Sequence, residues 1–152
     1  MRRVDGIPPS LALAQAAEES GWGTSRFARE GNSIFGQRTW RGGRSIKPSR
    51  REAGETFRVR AYHRLIDGIM SYTRNLNGHF AYDEFRRARE LQRRLGGGLD
   101  GYNLVGNLKR YSERGDAYIK SIRMLIRVNN LQAFDKARLS DQRVVDLGSP
   151  DA

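Results

Sequence analysis

The feature that most constrains the fold is an apolar segment near the N-terminus, with prolines on one side and glycines on the other. Pro8, Pro9 and Ser10 precede LALAQAAEES, and proline suits the first turn of a helix because its missing N–H would have no helical partner there. Gly21 and Gly23 follow the segment, and glycine readily takes the left-handed conformation that ends a helix. Alanines and leucines cover a broad face of this segment, which predicts a mostly buried helix.

The rest of the sequence predicts a mainly α, α+β domain with a small β-hairpin lobe. Residues 56–62 alternate apolar and basic side chains, which is the period of a half-exposed strand and indicates one arm of the hairpin. Helices or helical turns are predicted at 24–40, 66–76, 80–94, 100–108, 116–128 and 130–136. We therefore expect one domain over residues 1–136 and a flexible C-terminal tail over 137–152.

The composition excludes several kinds of chemistry. The 152 residues contain no cysteine, which removes disulfides, thiol nucleophiles and thiolate metal sites. His63 and His79 are the only histidines and lack metal-ligand spacing, so we expect no metal and no other cofactor. No apolar run approaches the roughly 20 residues of a transmembrane helix. MRRVDGIPPS also lacks the apolar stretch of a secretory signal, so export would require a leader or an anchor outside this sequence.

The formal net charge of +11 indicates a polyanionic partner, which includes nucleic acid, anionic lipid and cell-wall polymer. Of the 28 basic residues, 24 are arginine, a bias that a preference for arginine codons in the genome explains equally well. Charge alone therefore leaves a non-catalytic wall-binding or nucleic-acid-binding module open. The chain contains no recognisable nucleic-acid-binding motif, so nucleic acid is not the partner we expect.

Glu19 is the residue that best fits a chemical role. It lies at the C-terminal end of the predicted apolar helix, directly before Ser20 and Gly21. Partial burial there disfavours the charged carboxylate and raises the pKa, and a carboxyl that stays protonated near neutral pH can donate a proton to a glycosidic oxygen. From the residues alone, an ordinary solvated glutamate at a helix end remains the alternative.

A longer motif around Glu19 resembles a known family. The run LALAQAAEESGWGTSRFAREGNSIFGQ is similar to the signature of the bacterial glucosaminidases, glycoside hydrolase family 73, in their Bax-type branch: AQAA-x-ESGWG-x-S-x-FA, then N-x-x-FG. RVRAY, NLNGHFAY and LKRYSERGDAYI are similar to later segments, so the resemblance covers roughly residues 8–131. It implies a lysozyme-like fold with Glu19 as catalytic acid. Glu18 points elsewhere, because one residue rotates a helical side chain by about 100°.

The same resemblance implies a second carboxylate in the β-hairpin, where Glu55 and Glu52 are the candidates and Glu55 is preferred. Nine basic side chains between 38 and 64 outnumber these two glutamates, which favours an ionised carboxylate. Surface ion pairing is the alternative role for both.

Further site residues follow from the resemblance. It implies that Tyr111, in YSERGDAY, takes part in catalysis or holds the N-acetyl group, although this chain has SER where other members have ATD. Tyr118 falls on an apolar stripe and is expected in the core. The predicted substrate-binding residues are Gln15, Trp22, Asn32, Phe35, Gly36, Trp40 and Tyr62. For the aromatic residues among them, burial in the core is the alternative to stacking on sugars.

The resemblance implies an endo-β-N-acetylglucosaminidase that cleaves the β-1,4 bond after N-acetylglucosamine in peptidoglycan glycan strands. Such an enzyme acts in the bacterial cell envelope. A lytic transglycosylase, which forms 1,6-anhydro products, is the enzymatic alternative. Against it, the chain has IFGQ where those enzymes commonly have a GLMQ-like segment.

Overall fold

The computed structural model describes residues 4–40, 42–49, 54–96 and 98–137. Its helices are α1 (Pro9–Ser20), α2 (Arg26–Gly31), α3 (Leu65–Gly78), α4 (Asp83–Arg94), α5 (Gly101–Leu104) and α6 (Asp116–Val128). Its strands are β1 (Arg38–Thr39), β2 (Ser45–Ile46) and β3 (Arg58–Arg60). Short 3-10 turns occupy Phe80–Tyr82, Val105–Asn107, Lys109–Tyr111 and Leu131–Lys136.

Helix α1 is the buried centre of the domain, as its apolar face predicts. Leu11 and Ala14 are fully buried, and the helix packs against α5, α6 and the last 3-10 turn. Asp135 in that turn accepts hydrogen bonds from the Ser10 backbone N–H at 2.8 Å and the Ser10 hydroxyl at 2.7 Å. It also accepts one from Gly101 N–H at 3.0 Å. The two segments farthest apart in sequence are thus joined at the start of α1.

The core lies between α1, α3 and α6. Tyr72 and Leu76 of α3 and Ile122 and Ile126 of α6 are essentially inaccessible to solvent. Helix α4 closes this core with Phe85 and with two buried arginines. Because a buried guanidinium must be hydrogen-bonded, Arg86 donates to the carbonyls of Leu76 and His79, and Arg89 donates to those of Asp5 and Gly6.

The β lobe is a three-stranded antiparallel sheet in which β3 lies between β1 and β2. The strand predicted over 56–62 is present as β3, with Val59 buried between the exposed Arg58 and Arg60. The β2–β3 pair is the predicted hairpin, and β1 adds a strand that the sequence does not predict. With only two residues, β1 and β2 are too short to show an alternating pattern.

The helical turns predicted over 24–40 are only partly correct, because α2 covers Arg26–Gly31 alone and the end of that segment pairs with β3 as strand β1. Most of the other boundaries stay close to the predicted ones. Helices α3 and α6 begin and end within two residues of the predicted ranges, while the segment predicted as one helix over 80–94 begins with a 3-10 turn. Within the described ranges, no helix is both long enough and apolar enough to cross a bilayer. The predicted tail lies outside the described residues, apart from Ala137.

Candidate active site

A cleft of about 940 Å³ is lined by residues from both the helical core and the β lobe. Five parts of the chain contribute to its lining: the end of α1, the segment from Phe35 to Arg38, β3, the region from Ser71 to Tyr82, and the segment from Arg110 to Arg114. These parts are distant in sequence, so the cleft exists only in the folded chain. Glu19 lines it.

The turn after α1 fixes Glu19 at the cleft. Gly21 ends the helix in the left-handed conformation (φ 56°, ψ 52°), and its N–H donates to the carbonyl of Ala17. Ser20 donates its hydroxyl to Ala16 O at 2.6 Å and accepts from Gly23 N–H at 2.7 Å. The ESGWG motif therefore encodes a rigid helix end that presents Glu19 to the cleft.

The surroundings of Glu19 favour its protonated form. Burial raises the pKa of Glu19, and the negative charge of Glu18 raises it further. The Tyr118 hydrogen bond and the charges of Arg114 and Arg38 oppose this rise, but the pKa remains above the usual value for glutamate. The position of Glu19 near the negative end of the α1 dipole acts in the same direction as burial. A raised pKa for Glu19 is also what the sequence predicts.

A chain of hydrogen bonds runs from the core to Glu19 through Tyr72, Gln15 and Tyr118; we call it the polar chain. The Tyr72 hydroxyl donates to Gln15 Oε1 at 2.7 Å, and Gln15 Nε2 donates to the Tyr118 hydroxyl oxygen at 2.8 Å. Tyr118 in turn forms a hydrogen bond with the Glu19 side chain. Because the oxygen of Tyr118 already accepts from Gln15, its proton is free to point at Glu19.

Tyrosines form the wall of the cleft beside Glu19. The ring of Tyr111 stacks on that of Tyr118, with centroids 5.6 Å apart, and lies 6.0 Å from that of Tyr82. Burial raises the pKa of Tyr111 well above its usual value, and nearby Glu19 contributes in the same direction. Tyr111 is therefore a neutral hydroxyl at the cleft wall, where it is able to donate or accept a hydrogen bond.

Glu18 faces away from Glu19, as the helical rotation between them predicts. Its Oε1 accepts hydrogen bonds from Arg114 and from the Ser121 hydroxyl. Glu18 thereby joins α1 to α6 and to the segment preceding it. It does not line the cleft.

The predicted substrate-binding residues divide into three groups. Phe35 and Gly36 line the cleft, and Phe35 stacks on Tyr72 with ring centroids 3.8 Å apart. Gln15 is fully buried in the polar chain, and Asn32 donates to the carbonyls of Tyr62 and His63 at 3.1 Å. The Tyr62 hydroxyl donates to Gln37, which lines the cleft. Gln15, Asn32 and Tyr62 are therefore not among the residues that line the cleft, and Tyr62 contacts the lining through Gln37.

The remaining predicted residues lie outside the cleft lining. Trp22 and Trp40 are 64% and 69% exposed, and Trp40 lies near Phe57 in the β lobe. Glu55 is partly buried in the β lobe but is not among the residues that line the cleft. Glu52 lies outside the described residues, so its position relative to Glu19 stays a prediction.

Several residues that line the cleft are not predicted from the sequence. Among the described residues that line the cleft, Glu113 is the only carboxylate besides Glu19, and it is 3.5 Å from Arg38. Arg74 and Asn75 from α3 and Arg110 from the segment before α6 also line it. A single sequence carries no local signal for them, because exposed polar side chains on a helix or in a loop look alike whether or not they face a cleft.

A desolvated carboxyl at the end of a buried helix, opening into a cleft, is the arrangement that glycosidases use for general acid catalysis. The family comparison also indicates a glycosidase. Residues 1–131 match the profile of the Glucosaminidase family, described as mannosyl-glycoprotein endo-beta-N-acetylglucosaminidase, and the chain belongs to this family of glycoside hydrolases.

Two individual proteins are similar to the chain. Protein bax from Escherichia coli (strain K12) is 34% identical over 118 residues, which cover 78% of this chain and 41% of that protein. The chain thus spans less than half the length of this relative. The crystal structure of the catalytic domain of the autolysin Auto (Lmo1076) from Listeria monocytogenes matches with a TM-score of 0.61 at 20% identity, covering 84% of this chain and 75% of that one. This likeness confirms the predicted fold.

Proposed function

We propose that this domain is a peptidoglycan hydrolase that cleaves the β-1,4 bond after N-acetylglucosamine, with Glu19 as the general acid. The observation that carries the proposal is the position of Glu19, a partly buried carboxyl with a raised pKa that lines the cleft. Membership of the glucosaminidase family supports the bond type, and the name autolysin of the structural relative supports a wall substrate.

In the proposed reaction, Glu19 donates its proton to the glycosidic oxygen as the bond to the anomeric carbon breaks. The polar chain holds the carboxyl in one orientation, because Tyr118 is itself fixed by Gln15. After the leaving group departs, the Glu19 carboxylate is stabilised by the Tyr118 hydroxyl and by the positive charge of Arg114. A positioned general acid of this kind contributes about 10²- to 10⁴-fold to the rate.

The attack on the anomeric carbon requires a second group, and the described cleft offers two. Glu113 is an exposed carboxylate that lines the cleft and is able to orient a water molecule. Tyr111 also lines the cleft, and we propose that its hydroxyl holds the substrate's N-acetyl group for substrate-assisted attack. Glu55, which is not among the residues that line the cleft, and Glu52 remain predicted alternatives.

The proposed substrate places the enzyme in the bacterial cell envelope, with peptidoglycan glycan strands as its partner. Among the described residues, no group of three metal-ligating side chains lies together, and the proposed reaction needs neither a metal nor an organic cofactor. Its only co-reactant is water.

Product chemistry tests the proposal. Purified peptidoglycan is digested with the protein, and the soluble fragments are separated and weighed by mass spectrometry. We expect fragments that end in reducing N-acetylglucosamine and carry the mass of one added water. Reducing N-acetylmuramic acid at the new end contradicts the bond assignment.

A lytic transglycosylase is the second candidate, because Glu19 is the single partly buried carboxylate among the described residues that line the cleft. Such enzymes use one carboxyl and no water. Their 1,6-anhydro products are lighter than the hydrolytic ones by one water molecule. Fragments of that mass, without a reducing end, would replace the hydrolase assignment.

A further inference from the structure

The cleft is strongly basic. Five arginines line it: Arg38, Arg60, Arg74, Arg110 and Arg114. Two glutamates oppose them, and one of these, Glu19, has a raised pKa that favours its neutral form. The β-1,4 bond and the N-acetyl groups of the glycan are uncharged, so the chemistry proposed for Glu19 does not by itself account for this concentration of positive charge.

The side chains of three of these arginines have no ion-pair or hydrogen-bond partner among the described residues. Arg38 pairs with Glu113 and covers the Phe57 ring at 4.3 Å, and Arg114 pairs with Glu18. No ion pair or side-chain hydrogen bond within the described parts of the chain involves Arg60, Arg74 or Arg110. They come from β3, α3 and the 3-10 turn before α6, so the fold brings them to one cleft from separate elements.

Arginines elsewhere on the surface are often paired. Ion pairs join Arg64 to Asp67 at 2.9 Å, Arg87 to Asp83 at 2.7 Å and Arg94 to Glu90 at 3.0 Å. The general richness of the chain in arginine therefore does not explain why these three converge on the cleft. Like charges brought together repel one another, and an anionic ligand removes that repulsion.

We propose that Arg60, Arg74 and Arg110 bind the carboxylates of the peptide branches attached to the glycan. The guanidinium group is a planar fork of donors that matches a carboxylate with two parallel hydrogen bonds. The cleft thus selects glycan that bears acidic peptides over neutral polymers of the same sugars. This inference rests on the proposed function, because it assigns a substrate feature to the same cleft.

A pair of substrates that differ only in charge tests the inference. Sacculi are used native, or after their peptide carboxylates have been converted to methylamides with a carbodiimide and methylamine. Binding is measured by cosedimentation of the Glu19→Gln protein, so that affinity is read without cleavage. We expect about tenfold tighter binding to native sacculi, as three exposed charge pairs of ordinary strength provide.

The arginines are then removed together as Arg60→Gln, Arg74→Gln and Arg110→Gln in the same protein. We expect this variant to bind native and methylamidated sacculi equally. A matched control carries Arg29→Gln, Arg87→Gln and Arg127→Gln, which remove the same charge from exposed positions outside the cleft lining. The control is expected to keep the preference for native sacculi.

Three results overturn the inference: an undiminished preference in the cleft variant, an equal loss of preference in the control, or tighter binding of the starting protein to duplex DNA than to sacculi at physiological salt. Each is read from binding alone. The proposed function fails separately, if protein with Glu19 intact releases no fragments from native sacculi.

Discussion

Gln15 and Tyr118, 103 residues apart in sequence, are joined by a buried hydrogen bond of 2.8 Å from Gln15 Nε2 to the Tyr118 hydroxyl. The direction of this bond is fixed, because Gln15 Oε1 already accepts from Tyr72. Tyr118 must therefore direct its own proton elsewhere, and Glu19 is its other partner. A buried glutamine in the core thus determines the hydrogen bond that the candidate catalytic acid receives.

The Tyr118→Phe variant tests whether the Tyr118 hydroxyl affects the pKa of Glu19, and the measurement is the pH dependence of activity. Tyr118 lowers the pKa of Glu19, so removing its hydroxyl raises that pKa. The acid works in its protonated form, so activity falls as pH rises through the pKa of Glu19. We expect the alkaline limb of kcat/KM against pH to move to higher pH in the variant.

The matched control for this prediction is Tyr102→Phe, at a partly buried tyrosine outside the cleft lining. Its profile is expected to overlay that of the starting protein. A Tyr118→Phe limb that stays in place, or moves to lower pH, shows that the hydroxyl does not stabilise the Glu19 carboxylate.

Gln15→Leu tests the polar chain through stability. The change leaves the buried Tyr72 hydroxyl without its acceptor, and an unsatisfied buried polar group costs about 1–3 kcal/mol. We expect the free energy of unfolding, measured by urea denaturation, to fall by that amount. Gln132→Leu, at an exposed position, serves as the control and is expected to change it by less than about 0.5 kcal/mol. Equal effects of the two changes contradict the assignment.

Glu19→Gln is expected to stabilise the protein at neutral and alkaline pH. The folded-state pKa of Glu19 lies above its ordinary value of 4.5, so the folded protein holds this proton more tightly than the unfolded chain does. Its contribution to stability is therefore present at low pH and is lost as pH rises from 4.5 through the folded-state pKa. The neutral glutamine avoids that loss.

The measurement is urea unfolding of both proteins at pH 4 and at pH 8. The free energy of unfolding of the Gln variant is expected to exceed that of the starting protein by more at pH 8 than at pH 4. A constant difference between the proteins, or one that grows toward low pH, shows that burial does not raise the pKa of Glu19.

The parts of the fold and site that could be predicted are those marked by short sequence patterns. Pro9 and Gly21 mark the ends of α1, and the helical rotation between Glu18 and Glu19 separates their directions. The polar chain had no such signal, because a buried Gln15 looks like any helical glutamine until α3 and α6 pack against it. Arg74 and Glu113 reach the cleft only through tertiary packing, so a single sequence does not reveal them.

Fragment release from purified peptidoglycan by the Glu19→Gln and Glu18→Gln variants tests whether Glu19 is the catalytic acid. Both changes keep the size of the side chain, and both proteins are first shown to be folded by circular dichroism. We predict that Glu19→Gln lowers the rate by about 10²- to 10⁴-fold, whereas Glu18→Gln keeps most of the activity. Full activity in Glu19→Gln, or an equal loss in both variants, contradicts the role of Glu19 as the catalytic acid.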